Sequence, residues 1–158
     1  MATIREAAAE FLGSRRIAVT GVYPGATGHG GNAVYKRLRE RGYQAFAVNP
    51  AEKEAEGDRC YPSVRDIPGG VDAVVIATPP DEVETTMREC AELGVKYAWM
   101  HRALGVDSVC DPATVYGREH GITVIDGGCP LMFGPTADFG HKVACFLMTR
   151  SGKVPRRV

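Results

Sequence analysis

The residues best suited to chemistry gather where apolar runs end. The first run, Ile17-Ala-Val-Thr-Gly21-Val22, leads into Tyr23-Pro-Gly-Ala-Thr-Gly28-His-Gly30-Gly31-Asn32 before helical periodicity resumes. A helix starting there turns free backbone N–H groups and the positive end of its dipole toward an anion, so the chemistry expected is phosphate binding. Gly28-His-Gly-Gly-Asn-Ala33 carries the letters of a dinucleotide fingerprint, G-x-G-x-x-A, but it begins well past the strand. The next apolar run closes on Val48-Asn49-Pro50 without the acid that would hold an NAD ribose. Asn49 both donates and accepts hydrogen bonds, and Lys53 on the same loop suits an additional phosphate. Thr78-Pro79-Pro80 offers a stiff apolar ledge for a flat base and is at the same time an ordinary helix start.

Candidate nucleophiles and bases are Cys129, His101, His141 and Asp126, and all but His141 fall on loops at one expected sheet edge. Cys129 reads two ways, as a thiol open to exchange if its pKa is lowered or as a small buried residue under the Asp126-Gly-Gly turn. His101 likewise reads as a ligand contact or as hydrogen-bonded structure. Cys129, His101 and His141 have no metal-ligand spacing, so neither a metal site nor a catalytic set is expected.

These residues need a scaffold, and the periodicity supplies one. Thr3-Ile-Arg-Glu6 has the form of a capping box, and Ile4, Ala7, Ala8, Phe11 and Leu12 make one helical face that packs at the sheet edge, ending at Gly13. Strands are predicted over Ile17–Val22, Gln44–Val48, Val71–Ala77, Tyr97–Met100 and Ile122–Ile125. Helices are predicted over Asn32–Arg41, from Thr78-Pro-Pro-Asp81 to Gly94, from Asp111-Pro112 with Val115 on its inner side, and over His141–Met148 with Val143, Ala144 and Leu147 inward. Near-continuous apolar strands joined by helices must be parallel and covered on both faces, which predicts an α/β domain with a doubly wound parallel five-stranded sheet in the order 3-2-1-4-5. Its ligand crevice then lies between strands 1 and 4.

The 158 residues fit one domain, with 44% hydrophobic and 24% charged residues, which excludes disordered and fibrous classes. Lys plus Arg (19) balance Asp plus Glu (19), so no overall field favours nucleic acid or an anionic membrane. No apolar run is long enough for a bilayer and the N-terminus lacks a signal peptide's apolar stretch, so the expected location is the cytoplasm. Five cysteines without CxxC spacing suit reduced thiols. The domain is expected over residues 1–149, including the helix in 1–14, with 150–158 as a solvated basic tail.

The landmarks Ile17-Ala-Val-Thr-Gly21, Gly42-Tyr43 with Val48-Asn-Pro50, Cys60-Tyr-Pro-Ser63 with Asp66-Ile-Pro68, Val71-Asp72, and Ala98-Trp99-Met100 with Leu104-Gly105 occur in order. In this the chain resembles the stand-alone CoA-binding domain family, itself similar to the N-terminal CoA-binding domain of the succinyl-CoA synthetase alpha subunit. The resemblance spans Ile17 to Cys129. It implies a Rossmann-like fold holding coenzyme A or an acyl-CoA, with the diphosphate at Gly21, Val22, Tyr23, Gly28, Gly30, Gly31 and Asn32. It further implies the 3′-phosphate and ribose near Asn49, Pro50 and Lys53, adenine against Thr78, Pro79 and Val83, and the pantetheine end near His101 and Cys129. Tyr23 stands where many members carry serine, and this loop is richer in glycine than theirs. Ligase activity is not expected, because the synthetase uses a second domain with a phosphorylated histidine and a partner subunit. The reading is a small cytoplasmic CoA-binding protein that senses, delivers or protects the thiol, with CoA as its small-molecule partner. No nucleic-acid or membrane partner is expected, and a homo-oligomer stays open. The alternatives are an NAD(P)-binding oxidoreductase or redox-sensing module, and a regulatory module that acts on a partner protein.

Overall fold

A computed structural model of the chain describes residues 1–25, 30–103 and 105–158. The elements run α1 (Ile4–Leu12), β1 (Arg16–Thr20), α2 (Gly31–Glu40), β2 (Gln44–Val48), β3 (Glu54–Ala55), β4 (Asp58–Tyr61) and β5 (Ala73–Ile76). They continue as α3 (Pro80–Glu92), β6 (Tyr97–Met100), β7 (Arg102–Ala103), β8 (Val106–Asp107), α4 (Asp111–Glu119), β9 (Thr123–Asp126) and α5 (Phe139–Arg150). Among the described residues the main sheet has the order β3-β4-β2-β1-β5-β6-β9, parallel throughout except for the β3–β4 hairpin, while β7 and β8 form a small antiparallel pair apart from it.

The strands alternate between two cores because successive side chains point to opposite faces. Ile17, Val19, Ala73, Val75 and Trp99 face α1, α2 and α5. Ala18, Val74, Ile76, Ala98 and Met100 face α3 and α4. Trp99 anchors the first core edge-to-face on Phe11, with ring centroids 5.3 Å apart, and its indole N–H donates to the Gly127 carbonyl at 2.9 Å. The capping box on α1 is present as expected, with the Thr3 amide donating to Glu6 at 2.8 Å and Thr3 Oγ1 accepting from the Glu6 amide.

The parallel α/β architecture agrees with the sequence, but the strand count and order are corrected. Ala73–Ile76, expected beyond β2, pairs with the other side of β1 in the register Ile17↔Ala73 and Val19↔Val75. The position beyond β2 belongs to β4, through Val48↔Tyr61. Asp58 and Arg59 hide this short strand, since charged residues break the apolar run by which central strands are read. The winding therefore reverses between β1 and β5.

Two helix faces are also corrected. Val115 is 55% exposed, and α4 instead buries Ala113, Thr114 and Gly117. A Cβ on Gly117 would lie 2.7 Å from a Val124 methyl, so the glycine is the point of close approach to the sheet and Val115 turns outward. On α5 the inward residues are Ala144, Cys145 and Met148, whereas Val143 and Leu147 are exposed. This helix is apolar on both sides, which leaves its inner face undetermined by periodicity. The expected solvated tail is docked: Val154 is 1% exposed, and the Ile4 amide donates to the Arg156 carbonyl at 3.1 Å.

Candidate functional site

Six parallel strands end at one edge, and two glycines allow their loops to cross there. β1 stops at Thr20 because Gly21 takes φ +72°, and a Cβ on Gly21 would meet the Ala77 carbonyl oxygen at 2.4 Å. Thr20 Oγ1 accepts the Ala77 N–H at 3.1 Å, tying β1 to the strand across the reversal. Gly31 opens α2 so close to that turn that a Cβ would lie 2.7 Å from both the Thr20 and Gly21 carbonyl oxygens. Gly30, at φ +63°, is the N-cap residue, and no side chain among the described residues caps the helix. Among the described residues no group takes the N–H groups of its first turn, the ones an anion would take.

Two cavities flank this helix start. One, of about 390 Å³, lies on the α3 side and is lined by Thr20, Val48, Pro50, Ser63, Thr78 and Glu82, among others. The other, of about 280 Å³, lies on the opposite face and includes Gly30, His101, Cys129, His141, Ala144 and Met148. Each contains a buried polar atom without a hydrogen-bond partner, Thr78 Oγ1 in the first and His101 Nδ1 in the second. Such groups are uncommon in native interiors.

The structure distributes the sequence-predicted residues unevenly. Gly21, Gly30 and Gly31 shape the turn and the helix start, whereas Gly28 lies outside the described residues. Asn32 is 1% exposed, and its side chain is fully engaged: Oδ1 accepts from the Tyr23 N–H at 2.9 Å, and Nδ2 donates to the Tyr23 carbonyl and to Glu56, each at 2.7 Å. Asn49 is similarly engaged, donating to the Val22 carbonyl at 3.0 Å and accepting from the Ala51 N–H at 2.9 Å. Both amides brace the turn after β1. Val22 is buried and Tyr23 is 47% exposed.

Pro50 and Thr78 come together in the α3-side cavity, and exposed Pro79 caps α3 beside it. Val83 does not join them, because it is fully buried in the α3-side core; Asp81, Glu82 and Thr85 present the helix to the cavity instead. Lys53 is exposed on the loop after β2 and is not part of the cavity wall.

His101 and Cys129, each 2% exposed, share the second chamber. Burial, reinforced by the nearby His141, lowers the His101 pKa to about 4, so this imidazole is neutral. Burial likewise pushes the Cys129 thiol up to about 12, which removes the lowered pKa that thiol exchange requires. All five cysteines are free, and the described residues hold no group of three or more His, Cys, Asp or Glu placed for a metal ion. No described helix is long and apolar enough to cross a membrane. Sequence reading missed Asp138, the N-cap of α5, which binds the His141 ring. The signal was available as an Asp three residues before the histidine.

A family model described as CoA binding domain matches residues 15–135. The ADP-forming acetate-CoA ligase II subunit alpha of Pyrococcus furiosus is 40% identical over 89 residues, covering 54% of this chain and 19% of that protein. The chain thus spans a minor part of the length of that ligase subunit. An uncharacterized protein of Bacillus subtilis, YneT, is 30% identical over 118 residues, which is 73% of this chain and 82% of YneT. Among solved structures, a hypothetical protein from Pyrococcus horikoshii OT3 superposes with a TM-score of 0.70 at 28% identity, covering 78% of this chain and 87% of that one.

Proposed function

This chain belongs to the CoA binding domain family, and on that premise we propose that it holds coenzyme A across the carboxyl edge of its sheet, as a binding protein that senses, delivers or protects the thiol. In this reading the diphosphate rests on the first turn of α2, the adenine enters the α3-side cavity, and the pantetheine arm runs into the chamber containing His101 and Cys129. The observation that carries it is the helix start, without a side-chain cap among the described residues, standing between two cavities, each with an unpartnered buried polar atom. A ligand with a central anion and polar groups to either side fits that arrangement.

Charge supports the direction of the ligand. Asp81, Glu82 and Glu89 line the α3-side cavity, and carboxylates accept from an exocyclic amino group but repel a phosphate. The adenine therefore suits that cavity, while the 3′-phosphate turns outward past Pro50 toward Lys53. The same logic disfavours NAD, since the Asn49 side chain is already committed to the Val22 carbonyl and the Ala51 amide. The relatives named as acetate-CoA ligases are much longer than this chain, and the reading takes from them only the handling of CoA.

Calorimetric titration with CoA, 3′-dephospho-CoA and NAD tests the proposal. CoA is expected to bind once per chain, dephospho-CoA more weakly and NAD weakest. Tighter binding of NAD than of CoA would overturn it.

A further inference from the structure

The family match ends at residue 135, and α5 lies wholly beyond it. Yet α5 forms one wall of the second chamber through His141, Ala144 and Met148. The segment after the matched domain thus narrows the thiol end of the proposed CoA groove and brings an imidazole to it.

That imidazole is held in a defined orientation. His141 Nδ1 lies 2.8 and 2.9 Å from the two Asp138 carboxylate oxygens. Asp138 also accepts the His141 backbone N–H at 2.8 Å and an Arg37 N–H at 3.2 Å. Capping the helix requires only the backbone bond; the ring contact is additional, and it places a proton on Nδ1 and leaves Nε2 as the free acceptor. The side chain is 37% exposed and lines the chamber, so it is open to a ligand. The groups facing it are Asp138 and Arg37 on one side, which offset each other's charge, and His101 and Cys129 within the chamber, both neutral. Neither neutral group competes for a thiol proton: the Cys129 thiol keeps its own, and burial disfavours a charge on His101.

We propose that His141, through Nε2, accepts the proton of the CoA thiol held in this chamber, so that the cofactor is bound as a thiolate ready to meet an electrophile. The S–H bond breaks, an N–H bond forms, and the sulfur keeps the electron pair. Asp138 stabilises the imidazolium, and no oxidant or reductant takes part. An acyl or alkyl donor would then form an S–C bond while its leaving group departs with its own pair. The inference rests on the CoA reading above.

The test is the thiolate ultraviolet absorbance of protein-bound CoA as a function of pH, with the S-methyl-CoA complex as blank. In the wild-type complex the thiol is expected to titrate about one unit below free CoA, giving about tenfold more thiolate at neutral pH. His141→Gln and Asp138→Asn should return the midpoint toward that of free CoA while calorimetry still shows CoA bound. CoA bound by the wild-type protein with an unshifted thiol overturns this inference alone, and the wild-type measurement decides it even if a variant fails to fold. A midpoint equally lowered in His141→Gln also overturns it. Absence of CoA binding overturns the parent reading and this one together.

Discussion

Replacing Gly31 with alanine separates the steric argument for the phosphate site from any argument about backbone freedom. Gly31 already sits in a helix, so an alanine there carries no conformational penalty of its own. Its Cβ would nevertheless lie 2.7 Å from two carbonyl oxygens, those of Thr20 and Gly21, where an ordinary contact begins at 3.4 Å. The helix start must retreat by about 0.7 Å, because Thr20 is held to β5 through the Ala77 amide. Overpacking of this kind costs about 1–3 kcal/mol, which for a chain of this size lowers Tm by roughly 2–12 °C. The same retreat misaims the amides offered to the diphosphate, so CoA affinity should fall about tenfold or more, or roughly 1.4 kcal/mol. Gly42→Ala is the control: it has open space around its Cβ but φ +84°, so it should lose about 1 kcal/mol with CoA affinity unchanged. Calorimetric melting and CoA titration of both variants decide the matter. A Gly31→Ala protein that melts with the wild type and binds CoA equally well would refute the reasoning.

Lys53→Ala should weaken CoA by about 1–3 kcal/mol and leave dephospho-CoA unaffected in parallel calorimetric titrations; equal losses for both would remove Lys53 from the 3′-phosphate. His101 makes stability depend on pH: its folded pKa is about 4 against an ordinary 6.5, so between these values the unfolded chain binds a proton that the folded chain refuses. Stability should therefore fall as pH drops from 6.5 to 4, by about 3 kcal/mol in total. Urea unfolding across that range should show the fall in the wild type and a flatter profile in His101→Asn. Cys129 should stay unmodified when the folded protein is incubated with CoA disulfide, as read by intact-mass analysis, because its thiol is buried and protonated.

The central strands were legible because both of their faces are covered, so Ile17–Val19 and Ala73–Ile76 read as unbroken apolar runs. β4 was not, since Asp58 and Arg59 give it the polarity of a loop, and missing it displaced the predicted strand order. The glycine turn between β1 and α2 was legible from glycine spacing, but the duties of Asn32 and Asn49 were not. Their polarity suggested ligand contacts, whereas the fold uses both side chains to fix the backbone of Val22 and Tyr23. Val83 illustrates the converse limit: a residue one turn into α3 sits near the cavity in sequence but rotates into the core. The chamber around His141 depends on how α5 is rotated against the sheet, and a helix apolar on both sides does not encode that rotation in its pattern.

The central claim is that CoA lies across the start of α2 with its two ends in the flanking cavities. Amide chemical-shift changes on titrating the isotopically labelled protein with CoA test it most directly. The largest changes are expected at Gly30, Gly31, Asn32 and Ala33, with further changes at Thr78 on one side and His101 on the other. Changes confined to the groove between α1 and α5 lined by Ala8, Phe133 and Phe146, or to the cavity at the opposite sheet edge lined by Arg16 and Lys96, with the α2 amides unmoved, would contradict it.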